Sequence, residues 1–384
     1  MLMVAICTYQ MTAISKDAEF EGILSSIVTT PSDNPKLAEI KYYIDEYFVK
    51  DYDEDYLSDA TAMGLVYGLR DPHSTYYTKE DFKKTVANRE GTMTGIGIRV
   101  FYVQDTEEMQ LYEVMENSPA HNAGLQRGDV IYAIDDVSYE VLGYEGSYNA
   151  IVGEAGTDVK ISVVREGEIL NFVITRSEFT QQSVTYRLCD TDKTIGYVKI
   201  HSFDNATANQ FKDAVKTLIE SGVRSFIFDV RNNPGGLLTS VAEVLDYLLP
   251  AGPIIRMQDK NEKTEMLNSD SSEISFPMVV IANSSSASAA ELFTSALMDY
   301  DKATFIGTKT YGKGTVQSTF TLSDNSAVHL STQYYLPPFS PSFDGVGIIP
   351  DIEVVLSEEE EKNFFMLSET EDPQLYQAIT YLKQ

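Results

Sequence analysis

Ser286-Ala287-Ser288-Ala289-Ala290-Glu291 is the stretch on which the reading of this chain turns, and Lys313 follows Ser288 by 25 residues within Gly312-Lys313-Gly314-Thr315-Val316-Gln317. The first segment offers a hydroxyl at the start of a helix; the second offers a lysine bracketed by glycines. A serine hydroxyl is a weak nucleophile until a base takes its proton, and an uncharged lysine amine can be that base. The backbone N–H groups of a helix start are unpaired, and the helix dipole there favours negative charge. A serine so placed can gain oxyanion stabilisation from the next amide, that of Ala289. The plainer reading, that Ser284, Ser285, Ser286 and Ser288 are capping and turn residues, stays open at this level.

Working outward, Met278–Ala282 is a continuous apolar run before the serines, and Phe226-Ile227-Phe228-Asp229-Val230 is another. Runs of this kind fit strands buried on both faces. Asn205–Ser221, Leu237–Leu249 and Ala287–Asp299 read as helices between them, with further strands over 194–200, 304–307, 316–322 and 328–335. Alternation of strand and helix with short links predicts a mainly parallel sheet with right-handed crossovers. Arg231-Asn232-Asn233-Pro234-Gly235-Gly236 follows the second apolar strand. A Gly-Gly pair at such a turn can aim N–H groups at a developing oxyanion. It lacks the Gly-Lys-Ser/Thr of a phosphate-binding loop. The link from Met257 to Ile274 reads as polar and irregular.

Upstream the period differs. Residues 35–70 read as helices, with Leu37, Ile40, Tyr43, Ile44 and Tyr47 at helical spacing, and Asp71-Pro72-His73-Ser74 breaks the pattern. Gly95-Ile96-Gly97-Ile98-Arg99-Val100 reads as a strand entered through glycines. Strands over 110–114, 130–134, 159–164 and 169–175 follow, the last two joined through Glu166-Gly167-Glu168. Ser118 and Pro119 start a short helix as N-cap and first residue. Residues 357–384 are an acidic run followed by a short helix.

Composition narrows the function. Acidic residues number 58 against 29 basic ones, a net charge of -29 that repels nucleic-acid phosphates. Cys7 and Cys189 form no disulfide framework and lack metal-ligand spacing. The histidines are His73, His121, His201 and His329, none within a G-x-S-x-G elbow or an H-E-x-x-H pair, so neither a histidine triad nor a metal site is read. Met1–Ile6 is apolar without positive charge and stops at Thr8-Tyr9-Gln10, short of the roughly 20 residues of a membrane span. It reads as a frayed terminus or a truncated anchor. Gln317 lies four residues past Lys313, roughly 6 Å away on a helix but about 13 Å along a straight strand. A shared role then needs a compact turn or bulge.

Together these motifs resemble the C-terminal processing peptidases, also called tail-specific proteases, over residues 35–355. Asp71–Ser74, Asp229–Gly236, Ser286–Glu291, Gly312–Gln317 and Gly345-Val346-Gly347-Ile348-Ile349-Pro350-Asp351 agree with the family in order and spacing. Residues 92–178, with the Ser-Pro-Ala, Ala-Gly-Leu and Gly-Asp turns, resemble its PDZ domain. Ala290 stands where the family often has serine. The resemblance implies a multidomain α/β chain: an N-terminal segment over 1–34, a helical region over 35–91, the inserted β-rich PDZ domain over 92–178, a crotonase-like peptidase core over 179–356 and an acidic helical tail over 357–384. It implies Ser288 as nucleophile, Lys313 as base and Gln317 as its support. Gly235, Gly236 and Ala289 are then oxyanion donors, and no cofactor or metal is called for.

The N–H groups of Gly95, Ile96, Gly97 and Ile98 would take a peptide's terminal carboxylate as the peptide adds to the sheet edge. Its apolar side chains would lie between that edge and the Ser118–Gly124 helix. Protein C-termini are the expected partners, and nucleic acid is not. An extracytoplasmic or membrane-anchored location follows from the resemblance, while a homodimer and an N-terminal membrane tether remain open. Two other readings stand beside this one: a PDZ-based regulatory protein with a non-functional peptidase fold, and a crotonase-like hydratase, in which the PDZ-like unit has no place.

Overall fold

A computed structural model describes residues 34–384 apart from 89–91, 104, 181 and 271–272. The apolar N-terminal run lies outside the described residues. Two compact units divide the chain, one of residues up to 83 with 318–330, the other of 84–317 with 331–384.

In the first unit, Asn34 caps α1 (Pro35–Tyr47) with Pro35 in its first turn, and Asp53 caps α2 (Glu54–Tyr67) by accepting from the N–H groups of Asp55 and Tyr56. The helical spacing read over 35–70 holds, yet α1 buries no residue. β1 (Thr75–Tyr77) pairs antiparallel with residues 327–329, and Tyr76 donates to Asp59 at 2.7 Å. α3 (Lys79–Asn88) follows, with Phe82 stacked on Tyr77.

In the second unit, β2 (Thr92–Gly95) pairs with β9 (Ser177–Thr180) at the base of a β-rich domain. The strand expected over 95–100 is broken. Gly97 has φ +80°, and β3 (Ile98–Val103) begins only after it. β3 is the edge of a sheet that continues through β4 (Glu108–Val114), β5 (Val130–Ile134), β7 (Asp158–Arg165) and β8 (Glu168–Thr175). α4 (Pro119–Ala123) is capped by Ser118 as read. β6 (Val137–Ser138) leads into α5 (Tyr139–Ile151), which carries a non-helical Gly143. Glu166 and Gly167 both take positive φ in the two-residue turn between β7 and β8, as a right-twisted hairpin requires.

The core is a six-stranded sheet in the order β10 (Val184–Leu188), β11 (Ile195–Ile200), β12 (Ser225–Asp229), β15 (Met278–Ala282), β16 (Ala303–Gly307) and β19 (Ile352–Glu353), parallel throughout except for the β10–β11 pair. Alternation along β12 explains its unbroken hydrophobicity. Phe226 and Phe228 face α6 (Thr207–Glu220), α7 (Leu238–Leu248) and α8 (Ala289–Asp299), whereas Ile227 faces α10 (Pro373–Leu382). The short C-terminal helix therefore closes the second face of the sheet. The link read as irregular after Met257 is instead a hairpin, β13 (Gly252–Asp259) against β14 (Thr264–Ser269), and β13 also pairs with residues 333–336 of β18 (Ala327–Leu336). Along β14 exposed residues alternate with half-buried ones, so its sequence carries little apolar signal. β17 (Thr315–Thr321) pairs with β18, and α9 (Glu358–Lys362) opens the tail.

Phe293 of α8 meets Phe203, Phe211 and Phe228 with ring centroids 5.8 to 6.5 Å apart. Burying rings of this size gives about 1.5–3 kcal/mol each. Phe293→Ala should destabilise the protein by about 3–5 kcal/mol through transfer and cavity terms. Phe320→Ala, at a ring 46% exposed, should stay within about 0.5 kcal/mol. Urea unfolding of both variants checks this, and equal effects would contradict the assignment of α8 to the core.

Candidate active site

Three loops leave the carboxyl ends of β12, β15 and β16, the usual place for a site in a parallel sheet. Hydrogen bonds join them edge to edge. Ala287 N–H donates to the Asn233 carbonyl at 3.0 Å and the Ser286 hydroxyl to the Val230 carbonyl at 2.8 Å. Asn232 N–H donates to Asn283 Oδ1 at 2.9 Å, and Tyr311 N–H to the Ser286 carbonyl at 3.0 Å. Ser286 is thus a structural residue of the turn.

Ser288 sits at the N-cap of α8 with φ +55° and ψ −116°, only 8% exposed. A non-glycine residue held there carries on the order of 1–3 kcal/mol of strain. The strain buys a sharp strand-to-helix turn that presents the side chain beyond the end of the sheet. Gly235 lies directly opposite. A Cβ there would stand 2.8 Å from both Ser288 Cβ and the Ala287 carbonyl oxygen, so only glycine lets the two loops close. The two candidate glycine amides differ. Gly235 N–H is taken by Asn233 Oδ1 at 2.8 Å. Among the described residues no acceptor is found for the N–H of Gly236 or of Ala289.

The serine and lysine segments meet on one buried carboxylate, Glu291. Its Oε2 accepts from Ser288 N–H at 2.9 Å and Lys313 N–H at 2.8 Å. Its Oε1 accepts from Gly312 N–H at 2.7 Å and the Thr310 hydroxyl at 2.6 Å. The Ser288 and Lys313 nitrogens are therefore about 5.7 Å apart at most, the two hydrogen-bond lengths laid end to end. Burial pushes the Glu291 carboxyl above its ordinary range, against the pull of those four donors. Glu291 was quoted in the motif but given no role; the S-x-x-E spacing of a capping box was the available signal. The glycine before Lys313 has a physical cause as well. Residues 345–347 of the closing motif lie against Gly312, where a Cβ would stand 2.8 Å from Gly347 N.

Lys313 is half-buried. Gln317 lies within β17 and not on the compact turn that a shared role would need. Its amide reaches back along the strand to Thr315 Oγ1 at 2.9 Å and across to Ser331 Oγ at 3.2 Å.

Beneath the Gly235 loop lies a buried ionic group that sequence reasoning missed. Asp229 accepts from Arg231 Nη2 at 2.5 Å, Lys199 Nζ at 3.0 Å and the Tyr197 hydroxyl at 2.8 Å. Arg231 also pairs with Asp372 at 2.8 Å. Despite a large desolvation cost, the two cations and the arginine hydrogen bonds hold the Asp229 carboxyl well below its usual range. Burial lowers Lys199 and raises Tyr197. Asp229 therefore contributes stability above the ordinary carboxylate range, lost only as pH falls through its depressed value. Among the described residues no three His, Cys, Asp or Glu are grouped to hold a metal.

In the β-rich domain the Ile96 carbonyl accepts from Ala120 N–H and the Gly97 carbonyl from Met115 N–H, which fixes the 95–98 turn before the edge strand. The helix beside that edge is not the expected one. α4 lies near β8, its Gly124 facing Phe172, whereas Tyr144 of α5 packs edge-on against Tyr102 of β3 with centroids 5.9 Å apart. The helix packed against β3 is thus α5.

Residues 194–354 match peptidase family S41, and residues 111–165 match a PDZ domain. A probable CtpA-like serine protease of Staphylococcus aureus (strain COL) is 30% identical over 330 residues, covering 85% of this chain and 66% of that protein. One from Staphylococcus saprophyticus is 30% identical over 355 residues, covering 91% and 71%. The chain spans about two thirds of the length of these curated relatives. The structure of a photosystem II D1 C-terminal processing protease aligns with TM-score 0.55 at 23% identity over 88% of this chain and 92% of that one. A putative S41 protease from Bacteroides fragilis NCTC 9343 aligns with TM-score 0.61 at 18% identity over 87% and 92%. Both are similar in fold to this chain, which is a multidomain α/β peptidase with a PDZ domain. The chain belongs to peptidase family S41, among the CtpA-like serine proteases.

Proposed function

We propose that this chain is a serine endopeptidase that reads protein C-termini through its PDZ domain and cleaves within the tail by a Ser288–Lys313 dyad. The observation that carries the reading is Glu291, whose single carboxylate binds the backbone of both partners. Ser288 Oγ attacks the scissile carbonyl carbon and its proton passes to Lys313 Nζ. The oxyanion is received by the N–H groups of Ala289 and Gly236. Gly236 is preferred to Gly235, whose N–H is already engaged. As the C–N bond breaks, Lys313 returns the proton to the leaving amine. Water then attacks the acyl-enzyme with Lys313 again taking a proton, and the ester breaks to restore Ser288. Gln317, whose amide rests on Thr315 and Ser331 within β17, would have to turn towards Lys313 to support it as the family likeness implies. The peptide joins the β3 edge with its carboxylate on the 95–98 turn and its side chains towards α5. Family kinship favours an extracytoplasmic or tethered place of action; no helix among the described residues is long and apolar enough to cross a membrane.

Ser288→Ala should abolish peptide hydrolysis at a stability cost of at most about 1 kcal/mol, that of a cap. Lys313→Arg should be nearly as inactive as Lys313→Ala, because arginine does not give up its proton near neutral pH. Wild-type turnover in Ser288→Ala, or normal rates with arginine, would sink the dyad.

Glu291→Gln keeps the shape but sets an NH2 group among four donors. Unpaired buried donors cost about 1–3 kcal/mol each, so turnover should fall by more than tenfold while the aromatic core stays folded. Full activity in Glu291→Gln would show that the two segments do not need their common acceptor.

Peptides with an amidated C-terminus should be cleaved roughly ten- to a hundredfold more slowly than free-acid forms at low concentration, the worth of a charged hydrogen bond. Equal rates would remove C-terminal reading from the PDZ domain.

A further inference from the structure

The tail after α9 grips two places at once. Phe365 stacks on Tyr112 of β4 with centroids 4.1 Å apart at 22°, and tilts against Phe101 of β3 at 5.5 Å. Its carbonyl accepts from Arg127 Nη2, and Lys362 pairs with Asp105 at 2.7 Å. These contacts all belong to the PDZ domain. The adjacent ring, Phe364, lies edge-on to Phe365 at 5.2 Å and carries the Arg231 guanidinium over its face at 4.7 Å. Arg231 is bonded to Asp229 and Asp372 and stands four residues before Gly235. Further along the tail, Glu369 accepts from the N–H groups of Asp190 and Thr191 and pairs with Arg187, anchoring the tail to the core.

Two neighbouring aromatic residues thus touch the sheet whose edge strand is β3 on one side and the root of the oxyanion loop on the other. We propose that Phe364 and Phe365 are positioning residues that couple the PDZ domain to the loop over Arg231–Gly236, so that a peptide joining β3 stabilises that loop through the chain's own tail. The inference rests on the proposed recognition of a peptide at β3. A strand added at the β3 edge fixes the β3–β4 ribbon, and with it the Phe101–Tyr112 seat of Phe365. Phe364 packs edge-on against Phe365, and the Arg231 guanidinium lies over its ring. The contacts are contiguous from the recognition edge to the Arg231 side of the loop, and coupling of this kind alters the opening equilibrium of the far element.

The test uses the full chain carrying Ser288→Ala, so that a bound peptide is not consumed. Amide hydrogen exchange is followed at residues 98–103 and 231–237, with and without an apolar peptide bearing a free C-terminal carboxylate. In this parent the peptide should slow exchange in both segments. Adding Phe365→Ala should leave protection at 98–103, speed exchange at 231–237 by about two- to tenfold, the worth of an aromatic pair, and make the loop insensitive to peptide. Phe365→Tyr should restore the parent response, which a general loss of folding would not. Arg127→Ala, which removes an exposed donor to the Phe365 carbonyl, should weaken the response in the same direction. A loop that still responds fully to peptide in both Phe365→Ala and Arg127→Ala overturns the coupling. If the peptide fails to protect 98–103 in the parent, the recognition reading falls instead. The coupling is then decided by the peptide-free rate at 231–237, which it requires to rise in Phe365→Ala.

Discussion

The Glu291 carboxylate must be held where four donors converge, and the geometry of the site follows from that requirement. Ser288 and Lys313 are 25 residues apart and come from loops at the ends of two different strands. Neither loop has regular structure to fix its backbone. A carboxylate in a buried position is expensive unless several donors satisfy it, and here each oxygen takes two. The same bonds hold Ser288 at a positive φ that serine avoids. Strain at the turn and desolvation of the carboxylate are thus offset by one set of contacts, and loss of any donor exposes both costs.

A second buried carboxylate, Asp229, does for the Gly235 loop what Glu291 does for the lysine loop. Its charge is balanced by Arg231 and Lys199, and Arg231 is shared with Asp372 just before α10. A buried pair of this kind is costly to break and modest in net stabilisation. Its consequence here is geometric. The loop that carries the Gly236 amide is tied to the element that closes the far face of the sheet. The two proposed oxyanion donors, Gly236 and Ala289, therefore rest on separate buried carboxylates, and their loops meet across the hydrogen bond from Ala287 N–H to the Asn233 carbonyl.

Much of this was legible in the residues, for identifiable reasons. β12 and β15 announce themselves as apolar runs because both faces are covered. The Glu166-Gly167 turn and the Ser118 cap are local chemistry, fixed within four residues. What escaped depends on partners distant in the chain. β13 and β14 have half-exposed faces and a polar turn, so their pairing leaves no hydrophobic period. α5 is interrupted at Gly143, and its place beside β3 is set by tertiary packing. Arg231 looks like an ordinary turn residue until Asp372, 141 residues later, is brought to it. The aromatic pair in the tail reads as surface residues in an acidic run. Gln317 is a different case: a shared role with Lys313 asked for a turn or bulge, and the residue lies on a strand with its side chain reaching back to Thr315.

Covalent trapping tests the central claim most directly. A fluorophosphonate that reacts with activated serine hydroxyls should form one adduct, mapped by mass spectrometry to Ser288. Labelling should vanish in Lys313→Ala while the protein remains folded, since the hydroxyl then has no base. An adduct at another serine, or undiminished labelling of Ser288 in Lys313→Ala, would contradict the account.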